Sequence, residues 1–141
     1  MLRVRTLGPS CAMLLCACRM LGAAGEAPPD LAGTAWQAAE IRGRAVHGDV
    51  ASTLRFDDDG RVSGSAGCNR YFGTLSLEGE RVSVGPLGST RMMCAPPVMD
   101  QEQRFLQALE GARRLERRGD ALLFFGEGDA ATLRLLPADE T

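Results

Sequence analysis

The run GSAGCNRYFG at residues 64–73 constrains this chain more than any other stretch of it. Three glycines and an asparagine packed around one cysteine describe a backbone bend that bulky side chains could not follow, with a sulfur fixed inside it. A second cysteine, Cys94, ends the run STRMMC one hairpin downstream. The chain has to fold so that this corner and that hairpin each find their place in one small core.

The 141 residues leave room for one domain of roughly 110 residues and exclude a second. The first 25 carry Arg3, Arg5 and Arg19 and no acid, and residues 7–17 form an apolar run too short to span a bilayer. We therefore read 1–25 as an export signal or lipoprotein leader, 26–30 with its paired prolines as a short tether, and 31–137 as the folded domain. Two processing sites overlap in the leader. Leu15, Cys16, Ala17 and Cys18 resemble a lipobox that would make Cys18 the lipidated first residue, while Ala23, Ala24 and Gly25 suit an ordinary signal peptidase. Either cut places the protein outside the cytoplasm, in the periplasm or anchored to a membrane of a bacterial envelope.

Without the leader the chain keeps 13 basic and 18 acidic side chains, a net charge near −5. Phosphate backbones would be repelled, which argues against nucleic acid. There is no lysine, so Schiff-base chemistry is excluded. Cys11, Cys16 and Cys18 belong to the leader, leaving an even pair, Cys68 and Cys94. In an oxidising compartment a disulfide is the economical reading, contributing at most roughly 3.5 kcal/mol in the chain-entropy model. The other reading is two separate buried thiols that pack as small hydrophobes. A metal site needs further ligands, and the single histidine, His47, is far from both cysteines in sequence.

Periodicity gives an α+β domain. Strands are expected over 34–41, with Trp36 as a core anchor, and over 53–56 and beyond Val62, joined by the turn Asp57, Asp58, Asp59, Gly60. The consecutive acids suit a turn better than a calcium loop, whose acids alternate. Residues 43–49 read as a polar loop. Leu75 and Leu77 face Val82 and Val84 across a second hairpin. After Pro96 and Pro97 the period changes to that of a helix of about three turns. Phe105, Leu106 and Leu109 mark its inner face, Asp100 with Gln103 its start, and Gly111 a left-handed stop. Residues 113–118, 121–125 and 132–136 complete seven or eight strands, and their antiparallel sheet must curl around its apolar side.

Four blocks in order, LAGTAWQ at 31–37, LRFDDDGRVSGSAGCNRYFGTLSL at 54–77, PLGSTRMMC at 86–94 and MDQEQRFLQAL at 99–109, resemble the META domain family, which includes the heat-shock protein HslJ. The matching motif positions are Gly67, Cys68, Asn69, Tyr71, Gly73, Thr90 and Cys94. The resemblance implies a small cracked β-barrel with one α-helix packed on it, similar to a secretin-pilot protein and loosely to lipocalins. It also implies an envelope protein or lipoprotein, or a stress-associated protein of unknown mechanism, with no settled enzymatic activity to lend; no cofactor is expected. The chain departs from the pattern after Gly111, where Arg113, Arg114, Arg117 and Arg118 leave the facing of that strand open.

No catalytic set stands out. His47 with Asp49 lies in a loop, and Ser52, Ser63 and Ser65 sit in strand contexts without a nucleophile elbow. Asn69 suits a left-handed turn that its own side chain would bond. Tyr71 and Phe72 should face opposite ways, one of them inward. Arg70 and Arg91 flank the cysteines and either bind an acidic group of a ligand or partner or pair with surface carboxylates. The expected function is that of a monomeric, non-enzymatic exported domain acting through contacts with an envelope protein, in stress tolerance or envelope maintenance. The alternative is a carrier of a small apolar ligand inside the curled sheet.

Overall fold

The structure, a computed structural model, describes residues 31–139. The expected leader, the whole of the expected tether and the lipidation candidate Cys18 lie outside the described residues. Ten strands and one helix follow in the order β1 Ala35–Ile41, β2 Arg44–Ala45, β3 Thr53–Phe56, β4 Arg61–Ser65, β5 Arg70–Glu78, β6 Arg81–Val84, β7 Gly88–Ser89, α1 Pro96–Glu110, β8 Arg114–Arg118, β9 Ala121–Phe125 and β10 Ala131–Pro137. Strands β2 and β7 have only two residues each. The other eight run β1-β3-β4-β5-β6-β8-β9-β10 with antiparallel neighbours, and β10 returns to β1 to close a barrel. The small α+β barrel expected from the sequence is therefore present.

The inward side chains follow the two-residue period of a strand. Trp36, Leu54, Val62, Tyr71, Leu75, Leu77, Val82, Leu115, Leu122, Phe124, Leu133 and Leu135 share one buried cluster. A bulge between Ala38 and Glu40 lets β1 keep both Ala38 and Ile41 inside. The weak point of the wall is between β6 and β8. One residue pair, Arg81 with Arg114, joins them, with Val82 N–H to Arg113 O and Leu115 N–H to Glu80 O on either side.

Helix α1 packs its apolar stripe on this cluster, burying Phe105, Ala108 and Leu109. Its boundaries correct the sequence reading. Pro96 and Pro97 begin the helix, because proline presets the helical φ and gives up an N–H that needs no partner there. Asp100 is therefore no cap; it pairs with Arg104 one turn on at 3.0 Å. Gly111 ends the helix with right-handed geometry, φ −82° and ψ −2°. A Cβ there would sit 3.1 Å from the Gln107 carbonyl, so the glycine supplies room instead of a left-handed turn.

The 43–49 loop also holds more order than expected. Arg42 and Gly43, both at positive φ, form a two-residue turn that folds β2 back on β1. The facing of β8 is resolved as well. Leu115 points inward, and the guanidinium of Arg117 lies 5.7 Å from the Trp36 ring centre. On the outer side Arg114 and Arg118 lean over Phe125, at 4.2 and 5.8 Å from its ring centre. Glu116 holds both: Arg118 at 2.7 Å, and Arg114 at 3.3 Å through charge contact without hydrogen-bond alignment. The arginines thus cover a second apolar cluster on the outer face of β9, made by Ala121, Leu123 and Phe125.

Candidate functional site: a crosslinked polar corner

Between β4 and β5 the chain turns sharply at Gly67, with φ +150°. A Cβ at that position would lie 3.3 Å from Glu102 Cβ and 3.4 Å from Val98 O, so the corner sits hard against α1. Gly64 allows a similar approach, since a side chain there would collide with the Thr53 carbonyl on β3. That carbonyl is bonded by the Tyr71 hydroxyl at 2.6 Å. Tyr71 is buried edge-on to Phe105, and burial pushes its phenol well above the ordinary tyrosine pKa. Phe72, the next residue, faces outward, so the two point opposite ways as expected and Tyr71 is the inward one.

Cys68 and Cys94 form a disulfide with their Cα atoms 5.9 Å apart. Of the two sequence readings of this pair, the crosslink holds. Beneath it lies a polar network built on Glu102, which the sequence reading did not single out. One Glu102 carboxyl oxygen accepts the backbone N–H groups of Cys68 (2.8 Å) and Asn69 (2.6 Å), and the other accepts the Asn69 side-chain amide (2.7 Å). Asn69 is buried, and its amide also donates to Met92 O at 3.1 Å. Its oxygen accepts Met92 N–H at 2.6 Å and the Thr90 hydroxyl at 3.0 Å. All four hydrogen-bonding positions of the amide are used. Asn69 thus ties three segments together instead of bonding its own turn, and its φ is not positive.

Thr90 extends the network by accepting Arg70 N–H at 3.1 Å, while Thr90 N–H donates to Arg70 O at 3.0 Å. The neighbouring helix residue, Gln101, does for the 47–52 loop what Glu102 does for the corner. It accepts His47 N–H at 2.9 Å and donates to Val50 O and Ser52 Oγ. Ser52 in turn bonds Ala66 O at 2.8 Å. Gly73 leaves room for Leu87, whose Cδ2 would lie 2.6 Å from an added Cβ. All the motif positions therefore fall on this corner or on the strand leading from it.

Arg70 and Arg91 come close together through the Arg70–Thr90 bonds, and both are exposed. Neither makes an ion pair among the described residues, so of the two roles open to them the pairing with surface carboxylates does not occur there. The His47 side chain is exposed and makes no hydrogen bond among the described residues. Among the same residues no group of three His, Cys, Asp or Glu could hold a metal ion, and no helix is long and apolar enough to cross a membrane.

Comparison with known proteins agrees with this geometry. The model of the META domain matches residues 29–140. Among solved structures, a protein from Burkholderia xenovorans determined by NMR is 28% identical, with TM-score 0.64 over 79% of this chain and 86% of that one. A second NMR structure is 23% identical, with TM-score 0.63 over 79% and 94% of the two chains. A crystal structure of a DUF4847 family protein from Bacteroides vulgatus shares the fold at 16% identity, with TM-score 0.56 over 75% and 93%. No curated protein matches the chain.

Proposed function

This chain belongs to the META domain family, and we propose that it works as an exported, non-enzymatic domain whose task is contact with another envelope protein, in stress tolerance or envelope maintenance. One observation carries the reading. Buried hydrogen bonds and a disulfide are concentrated on holding one exposed corner rigid, and the residues that corner displays, Arg70 and Arg91 among them, are not consumed by the fold. Fixing a surface in advance lowers the entropy lost on binding, and so favours recognition.

Export is supported by the leader composition and by a cysteine pair that suits an oxidising compartment. The carrier reading has less support, because Trp36, Tyr71, Phe105 and Phe124 fill the interior where an apolar ligand would have to sit.

Two measurements test the proposal. Intact-mass analysis of protein from its own host is expected to show loss of the leader, with acyl chains on Cys18 or a plain cut near residue 25. An uncut chain would overturn export. Cross-linking in intact cells is expected to trap a specific partner at the corner, and deletion to sensitise cells to envelope stress. Absence of both effects would overturn the contact-based role.

A further inference from the structure

The surface beside the corner differs in charge from the rest of the molecule. The two stretches that meet at the corner, residues 60–77 and 81–99, contain no acid, in a chain with 18 acidic residues, and they bring Arg70 and Arg91 to it. Five arginines are neutralised locally: Arg55 by Asp57, Arg61 by Asp59, Arg104 by Asp100, Arg114 and Arg118 by Glu116. Arg70 and Arg91 make no ion pair among the described residues.

Next to these two cations stand the large apolar side chains that the fold leaves in water. Phe72 is 62% exposed, Met92 57% and Met93 89%. Phe72 shares the outer face of β5 with Arg70, and Met92 and Met93 follow Arg91 directly. Exposed apolar groups are common on loose loops, but this segment is fixed along its inner side. Met92 is bonded by Asn69 at both its N–H and its carbonyl, Thr90 is bonded to Arg70, and Cys94 is crosslinked. Its outer side is open. The main-chain groups of Arg91 and Met93 make no hydrogen bond among the described residues, and β7 pairs with β5 alone.

We propose that residues 89–93 form an open sheet edge that receives an extended segment of a partner protein that carries both acidic and apolar side chains. The inference rests on the contact-based function above and narrows it to one surface and one partner chemistry. The partner's main chain pairs with Arg91 and Met93, its carboxylates meet Arg70 and Arg91, and its apolar side chains cover Phe72, Met92 and Met93. Methionine suits such a surface because its flexible, polarisable side chain adapts to varied partners. An anionic bilayer fits less well. The processed chain carries net negative charge, and lipid offers no partner to the free main-chain groups.

The test uses protein purified from its own host and a displayed library of random twelve-residue peptides. The recovered peptides are expected to combine Asp or Glu with apolar residues, and to slow amide hydrogen exchange at Arg91 and Met93. In the Arg70→Glu, Arg91→Glu double variant their affinity is expected to fall at least about tenfold. An intact disulfide and native Trp36 fluorescence show that the variant is folded. The inference is overturned by recovered peptides without acids, by unchanged exchange, or by charge reversal without effect. Charge-sensitive binding to phosphatidylglycerol vesicles with no peptide recovered would also overturn it, in favour of a membrane. A partner trapped in cells at some other surface would overturn this inference alone and leave the contact-based function standing.

Discussion

The Cys68–Cys94 corner and the β8–β9 wall both bring strongly polar side chains against buried structure, but they hold together in different ways. At the corner the Glu102 carboxylate and the Asn69 side-chain amide have a designated partner at each position, and Glu102 and Asn69 between them accept or donate six hydrogen bonds. On the wall, Arg114 and Arg118 share one acid and one aromatic ring at the surface, over apolar area that does most of the stabilising. The first arrangement specifies a geometry and fails if one member is lost. The second tolerates substitution because its contacts are redundant.

The contrast is broken most severely by Glu102→Ala. It strands one buried and one part-buried N–H donor and one side of the Asn69 amide, and should cost about 4 kcal/mol, read as a lowered urea midpoint at unchanged slope. If Glu102→Ala proves nearly neutral, the network is ornamental and the corner is held by the disulfide alone. Replacing both cysteines by serine should cost about 3 kcal/mol, measured the same way with Trp36 fluorescence as the probe.

Tyr71→Phe leaves the Thr53 carbonyl without its hydroxyl partner and should cost about 1–2 kcal/mol. Tyr71 also gives a pH signature. Its phenol stays neutral in the folded chain above the ordinary value of 10.0, whereas the unfolded chain ionises near that value. The stabilisation is therefore fully present below pH 10 and declines as pH rises beyond it, a loss that Tyr71→Phe abolishes. Tyr71 is the only tyrosine, so phenolate absorbance follows this group without interference. Arg118→Ala on the wall should cost no more than about 0.5 kcal/mol, and a larger loss in thermal unfolding would erase the distinction between the two regions.

The strands were legible in the sequence because alternation and turn chemistry agree. Leu75 and Leu77 meet Val84 and Val82 as expected, and residues 121–125 pair with 114–118 across Gly119 and Asp120. The helix start was misread because Asp100 and Gln103 imitate a capping box, while the true start relies on two prolines that carry no such signal. Glu102 was missed for a related reason. A charged residue on a helix is ordinarily assigned to solvent, and only its place on the stripe with Phe105 and Leu109 pointed inward. The partners of Asn69 could not be read at all, since they lie 21 to 33 residues away and depend on tertiary placement.

Closure of the barrel by β1 against β10 has a consequence for how the molecule is made. Trp36 is matched with Pro137, so the first strand of the barrel waits for the barrel's final strand before its edge is covered. Until that strand is available, a long hydrophobic ribbon stays open to water and to other chains. A frameshift or clipping event that removes only the final strand should therefore yield an aggregating product and not a slightly weakened one.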